Sequence, residues 1–172
     1  MAMAGIEMQR TTTHQILFFV TLLATALAMG AALAHALELP KKIGLSADEY
    51  FIVQKIYRGW NKLAYLLGVE FFGMVLLLYL NWSCAGVRKL LLLAMVCLAA
   101  AQAAFWLYTY PANRLTADWT LRPENWEALR DQWEYSHLAG AVFQTLALAF
   151  IASALASAGA ETNDQKPALD LD

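Results

Sequence analysis

The sequence predicts an all-α, integral membrane four-helix bundle with amphipathic helical extensions before spans two and four. Three observations lead there. The 172 residues are 60% hydrophobic and 15% charged, with a mean hydropathy of +0.46. Four stretches run about twenty residues almost without charge, the length that crosses a bilayer. None of them has the charged face of a helix whose other side meets water. The net charge of −2 and pI near 5.9 leave no basic surface of the kind nucleic acid requires, so nucleic-acid binding is excluded. Cys84 falls in a short loop and Cys97 inside an apolar run, a pattern that does not make a disulfide framework.

The elements follow in order. Residues 1–13 are a mixed tail, and 14–158 form one transmembrane domain with spans at about 15–37, 60–80, 88–109 and 137–158. The first run follows Arg10 and includes Ala32-Leu33-Ala34, as a cleavable signal peptide would, but its length suits a bilayer span better than a signal core. Pro40 is read as its end. Ser46-Ala47-Asp48-Glu49 then has the form of a capping box, opening an amphipathic, aromatic helix over 47–58 that runs on through a bend at Gly59 into span two. The segment 81–86 reads as a tight turn, with Arg88 and Lys89 anchoring span three. Tyr110-Pro111 is read as its stop. Pro123 suits the first position of a last, long helix that begins charged and enters the membrane near His137. Residues 159–172, acidic and polar, read as a disordered tail. Eight Lys and Arg lie in the first and third connections with their helix ends, against four on the opposite side, which places the longer connections in the cytoplasm.

Alternating spans gather the polar residues at one end of the bundle. His35, Glu38, Asn61, Tyr65, Thr109, Tyr110, Asn113, Glu134 and His137 all belong there. Aromatic residues, Tyr57, Trp60, Trp106 and Trp133 among them, are dense at the same end. An interfacial belt explains most of these, and its asymmetry points to a pocket for a flat apolar ligand. A deeper tier holds Thr25, Glu70, Gln102 and Gln144, one from each span at similar depth. A carboxylate at mid-membrane is costly unless paired or protonated, so Glu70 is expected to face the interior with Gln102 or Gln144 as partner. In span four, Trp126, Arg130, Trp133, His137, Gly140 and Gln144 recur at steps of four and three and share one face.

The sharpest constellation pairs His35-Ala36-Leu37-Glu38 with Glu134-Tyr135-Ser136-His137. An i, i+3 spacing puts carboxylate and imidazole on one helix face, and the opposite chain directions bring both histidines to the membrane side of both glutamates. Three readings of this set stay open. His35, Glu38, Glu134 and His137 are candidate ligands for a single transition-metal ion; His35 and His137 are candidate acid and base without metal; or the four are interfacial histidines and helix-end ion pairs. Haem held by the two histidines is a variant of the first. A carboxylate-bridged di-iron centre is incomplete, because span three carries no carboxylate.

These residues, with Leu39-Pro40 after the first motif, Tyr110-Pro111-Ala112-Asn113, and the run from Asn125 to His137, resemble the anthrone-oxygenase-like family of small four-span membrane proteins. The resemblance covers most of the chain, and the spacing from Asn113 to Trp133 to His137 is its most telling feature. It implies oxidation of polycyclic phenolic anthrones to anthraquinones, with His35, Trp133 and His137 matching the motif positions suspected of a role. The expected function is therefore a membrane oxidoreductase, oxygenase-like, acting on a lipophilic aromatic or quinone-like molecule that enters from the bilayer. His35, His137 and Trp133 are its candidate catalytic residues, and Tyr65, Glu70, Gln102, Trp106, Tyr110 and Asn113 its candidate substrate contacts. The alternative is a non-catalytic accessory or assembly subunit whose small-residue helix faces bind partner helices, as a homo-oligomer or within a larger membrane complex.

Overall fold

The computed structural model describes the backbone of residues 2–164 and the side chains of residues 12–158. Among them there is no strand. Six helices follow in order: α1 (Ala2–Lys42), α2 (Ala47–Val53), α3 (Leu63–Leu80), α4 (Ala85–Ala104), α5 (Tyr110–Leu115) and α6 (Trp126–Asp164). A π-turn (Phe105–Thr109) joins α4 to α5. Four segments are long and apolar enough to span a membrane: Thr12–Lys42, Trp60–Leu80, Ala85–Leu115 and Trp126–Ala158. The sequence places the same four spans, the second with the same bounds and the other three shorter. Helix α6 runs on through 159–164, the first part of the tail expected to be disordered, and 165–172 lie outside the described residues.

Both α1 and α4 pack along α6, while α3 leans mainly on α1 and touches α4 sparingly. Two apolar cores result. The lower one joins Phe18, Met74, Leu77, Leu91, Leu98 and Ile151 from the four spans. The upper one is a cap over the polar end, in which Ala47, Tyr50, Ala112, Trp119, Trp126 and Trp133 pack together. The α1 to α3 contact is close because Gly73 has no side chain. A Cβ there would run into Thr21 Oγ1, which is fully buried and donates to the Leu17 carbonyl. Gly73→Ala is expected to cost about 1 to 3 kcal/mol through overpacking. Thermal unfolding in detergent checks this, with Gly73→Ala, Thr21→Ala recovering most of the loss; an unchanged single variant would contradict the close approach.

Two prolines behave differently from the expectation. Helix α1 passes through Pro40 to Lys42, because only two residues remain beyond the proline and Lys42 is held by an ion pair to α6. Span three likewise passes Pro111. The π-turn just before it shifts the backbone bonding to i, i+5, as in Tyr110 N–H to the Phe105 carbonyl, and the Gln132 amide donates to the Tyr108 carbonyl at 2.8 Å. The third correction is at α6, which starts at Trp126 and not at Pro123, since the Pro123 carbonyl accepts the Trp126 N–H in a preceding turn.

The capping box forms, with the Ser46 N–H donating to Glu49 at 3.0 Å. The following helix is shorter than expected: α2 ends at Val53, and the chain reaches α3 through two 3-10 turns separated by Gly59 at φ +90°. That left-handed bend is the reason for glycine there. It turns α2 over the bundle end, where Tyr50 is fully buried, so this amphipathic segment is a lid.

Candidate functional site

His35 of α1 and His137 of α6 meet beneath the lid, their ring centroids 4.3 Å apart. Other rings enclose them. His35 also touches Tyr57 at 4.5 Å, Trp60 at 5.1 Å and Trp133 at 5.1 Å, and Trp133 lies 3.9 Å from His137. Helical spacing explains Trp133 and His137: an i, i+4 pair stacks on one face, and His137 Nδ1 donates to the Trp133 carbonyl at 2.8 Å. That bond fixes the proton on Nδ1 and leaves Nε2 with its lone pair. His35 Nδ1 is buried and makes no hydrogen bond.

Above the imidazoles lies an ionic knot, buried at Lys42 and Glu134 and open at Glu38, whose side chain is 40% exposed. Lys42 Nζ is 2.9 Å from Glu134 Oε1 and 3.9 Å from Glu38, donates to Tyr57 Oη at 2.9 Å, and sits 4.5 Å over the rings of both Tyr57 and Trp133. Tyr50 donates to Glu134 Oε1 at 2.9 Å, and Tyr57 donates to Glu38. Glu134 Oε2 is left buried without a partner. Burial, reinforced by Glu134, pushes the Tyr50 hydroxyl well above the ordinary phenol range; burial and the Glu38 bond do the same for Tyr57. Both stay donors at neutral pH. Since unfolding would release them to ordinary phenols, stability contributed by the knot is expected to hold up to about pH 10 and to fall above it as the unfolded state ionises. Unfolding followed against pH checks this, with Tyr50→Phe, Tyr57→Phe flattening the alkaline fall.

Asn113 holds the tryptophans. Its Oδ1 accepts Trp133 Nε1 at 2.9 Å and Trp119 Nε1 at 3.1 Å. Trp119 reaches it from a strained turn in which Ala117, Asp118 and Trp119 all have positive φ. Among the bonds that hold that turn are Asp118 N–H to the Asn113 carbonyl at 2.7 Å, Trp119 N–H to Thr116 Oγ1 at 3.1 Å, and Leu121 N–H to the Thr116 carbonyl at 2.9 Å. Asn113→Leu strands two indole N–H groups and is expected to cost about 1 to 3 kcal/mol. Denaturation with tryptophan fluorescence as readout checks it; wild-type stability would show both indoles satisfied elsewhere.

The four residues expected to ring a metal are thus divided into an imidazole pair and a carboxylate pair tied to Lys42 and two phenols. Among the described residues no group of three His, Cys, Asp or Glu side chains is placed to hold a metal ion. Haem fits no better. Iron between trans imidazoles, at about 2 Å from each nitrogen, needs ring centroids roughly 6 Å apart, more than the 4.3 Å found.

Several expected substrate contacts lie elsewhere. Tyr65 is 81% exposed, because the buried face of α3 is that of Glu70, Met74 and Leu77. Trp106 and Tyr110 pack against each other as tilted rings, 5.1 Å apart on the outer surface; the π-turn turns them out and brings Thr109 in, 2.6 Å from Ser136 Oγ. Asn113 is taken up by the two indoles. Glu70 is fully buried and accepts the Gln144 amide at 3.2 Å, as the depth argument expects, and Gln102 lines a cleft between α3 and α4. Lys42 and the lid residue Tyr50 were not among the sequence candidates. Lys42 stands seven residues after His35 and four after Glu38, on the same face of α1, a periodicity concealed by reading Pro40 as the helix end.

Comparison of the chain with protein-family models, with curated proteins and with solved structures gives no match, so the family resemblance rests on the motifs that carry it.

Proposed function

We propose that the protein is a membrane-embedded oxidoreductase that oxidises a lipophilic phenolic ring compound at the His35 and His137 pair. The observation that carries this reading is the imidazole pair itself, two rings in contact inside an aromatic box with a free lone pair on His137 Nε2. The rings of the box touch one another, with centroids 3.9 to 5.1 Å apart, so a flat ring binds there only when they move apart. His35 Nδ1 and Glu134 Oε2, both buried and unpaired, offer hydrogen-bonding positions for its oxygen substituents.

In the proposed reaction an acidified ring methylene, as in an anthrone, gives a proton to His137 Nε2. The resulting enolate is oxidised by dioxygen, the co-substrate. Each ring methylene and one dioxygen give one ketone carbonyl and one water: both C–H bonds of the methylene break, one oxygen atom becomes the new carbonyl, and the other leaves as water with the two hydrogens. The carbon gives up four electrons and dioxygen takes them. His35 hydrogen-bonds the substrate oxygen, while the Lys42 knot keeps Trp133 and its bonded imidazole in place. A phenolic anthrone supplied to purified protein in lipid is expected to give the quinone absorption under air and none under argon. Equal conversion by protein and by empty lipid would overturn the proposal.

One observation favours an accessory subunit as a second reading. Tyr65, Phe72 and Tyr79, spaced by seven, form an exposed ridge along α3, the least buried span. Mild extraction that yields a larger assembly, dispersed by Phe72→Ala, would favour it.

A further inference from the structure

The cleft between α3 and α4 plays no part in the histidine site. It is a groove of about 500 Å3, open along one side and walled by Leu67, Gly68 and Phe71 from α3 and by Met95, Ala99 and Gln102 from α4. That volume suits a small ring compound. Gln102 is the polar residue of the wall, and its side-chain amide makes no hydrogen bond to any described residue. Gln102 is partly exposed, and an amide that faces lipid without a partner costs a few kcal/mol unless something bonds it.

Gly68 supports the same view. A Cβ built there meets nothing within 4 Å, in contrast to Gly73, where helix contact leaves no room. A larger side chain at 68 therefore has room to stand in the cleft.

Depth identifies the occupant. Gln102 lies ~20 Å along the helix from the Leu115 end of its span, close to mid-bilayer. Phospholipid ester oxygens stay at headgroup level, and an acyl chain at this depth offers nothing for an amide to bond. A molecule that brings an oxygen to mid-membrane is a lipid-soluble ring carbonyl or hydroxyl. Phe71 provides an aromatic edge or face for that ring, and the Met95 thioether a second favourable contact.

We infer that this cleft binds a lipid-soluble quinone from the bilayer, its carbonyl accepting the Gln102 amide. The site is separate from the histidine pair, and its occupancy does not depend on the proposed reaction.

The test uses the full chain in lipid nanodiscs, titrated with a short-tailed benzoquinone and followed by quenching of tryptophan fluorescence. Trp106 stands one turn beyond Gln102. A saturable component is expected, weakened at least tenfold in Gln102→Leu and in Gly68→Leu, and unchanged in His35→Ala, His137→Ala. Should Gly68→Leu fail to fold, Ala99→Phe fills the cleft from the opposite wall and is expected to give the same loss. Quenching that rises without saturation, as for simple partitioning into lipid, would overturn the proposal. So would saturable quenching that survives both cleft variants, or that disappears only in the histidine variant.

Discussion

Lys42→Met is expected to destabilise the protein by about 3 to 5 kcal/mol, the cost of leaving a buried ion pair half made. The ammonium is the one cation at the centre of the described knot, with Glu134 at 2.9 Å and Glu38 at 3.9 Å. Removing it leaves two carboxylates near one another, one of them fully buried, in a layer between two apolar cores. The pairing makes a second expectation. Lys42→Met, Glu134→Met together should cost much less than the sum of the single changes, because replacing a whole buried pair by apolar side chains is nearly neutral. Thermal and denaturant unfolding in one detergent measure all three variants. Additive losses, or a stable Lys42→Met, would show that Lys42 reaches water and that the knot is a surface ion pair.

His137→Phe is expected to lower the rate of anthrone oxidation by a factor of about 10² to 10⁴, the usual contribution of a positioned base, while leaving stability nearly unchanged. Phenylalanine keeps a flat ring against Trp133 and His35, so packing in the box is conserved. What it removes is the Nε2 lone pair and the Nδ1–H bond to the Trp133 carbonyl. His137→Ala opens a ring-sized gap, and added imidazole should restore part of its rate, which a merely structural role would not allow. His35→Phe should raise KM as well as lower kcat, since His35 is assigned to hold the substrate oxygen and not to take the proton.

The four spans, the lopsided polar end and the deep pairing of Glu70 with Gln144 were legible because each rests on a short-range rule: span length, alternation of direction, and rise per residue. The meeting of His35 with His137 was legible for the same reason. The heptad stripe from Trp126 to Gln144 likewise faces inward, with Trp126, Trp133 and Gln144 all buried. What the sequence concealed depends on compensation between distant groups. Pro40 and Pro111 look like helix ends until an ion pair from α6 and a π-turn offset their missing bonds. The left-handed run at Ala117, Asp118 and Trp119 has no glycine to announce it; Thr116 and Asn113 hold it from outside. The spacing of Glu38 and Glu134 from the histidines fits metal ligands as well as helix-end ion pairs. Lys42 and two tyrosines instead draw both carboxylates away from the imidazoles.

The central claim, that the imidazole pair is a reaction centre, is tested most directly by measuring dioxygen uptake and quinone formation together, for the wild-type protein and for His35→Phe, His137→Phe in the same nanodiscs. The wild type is expected to consume one dioxygen per quinone formed, and the double variant to lose both signals. Equal turnover by the two proteins would contradict it.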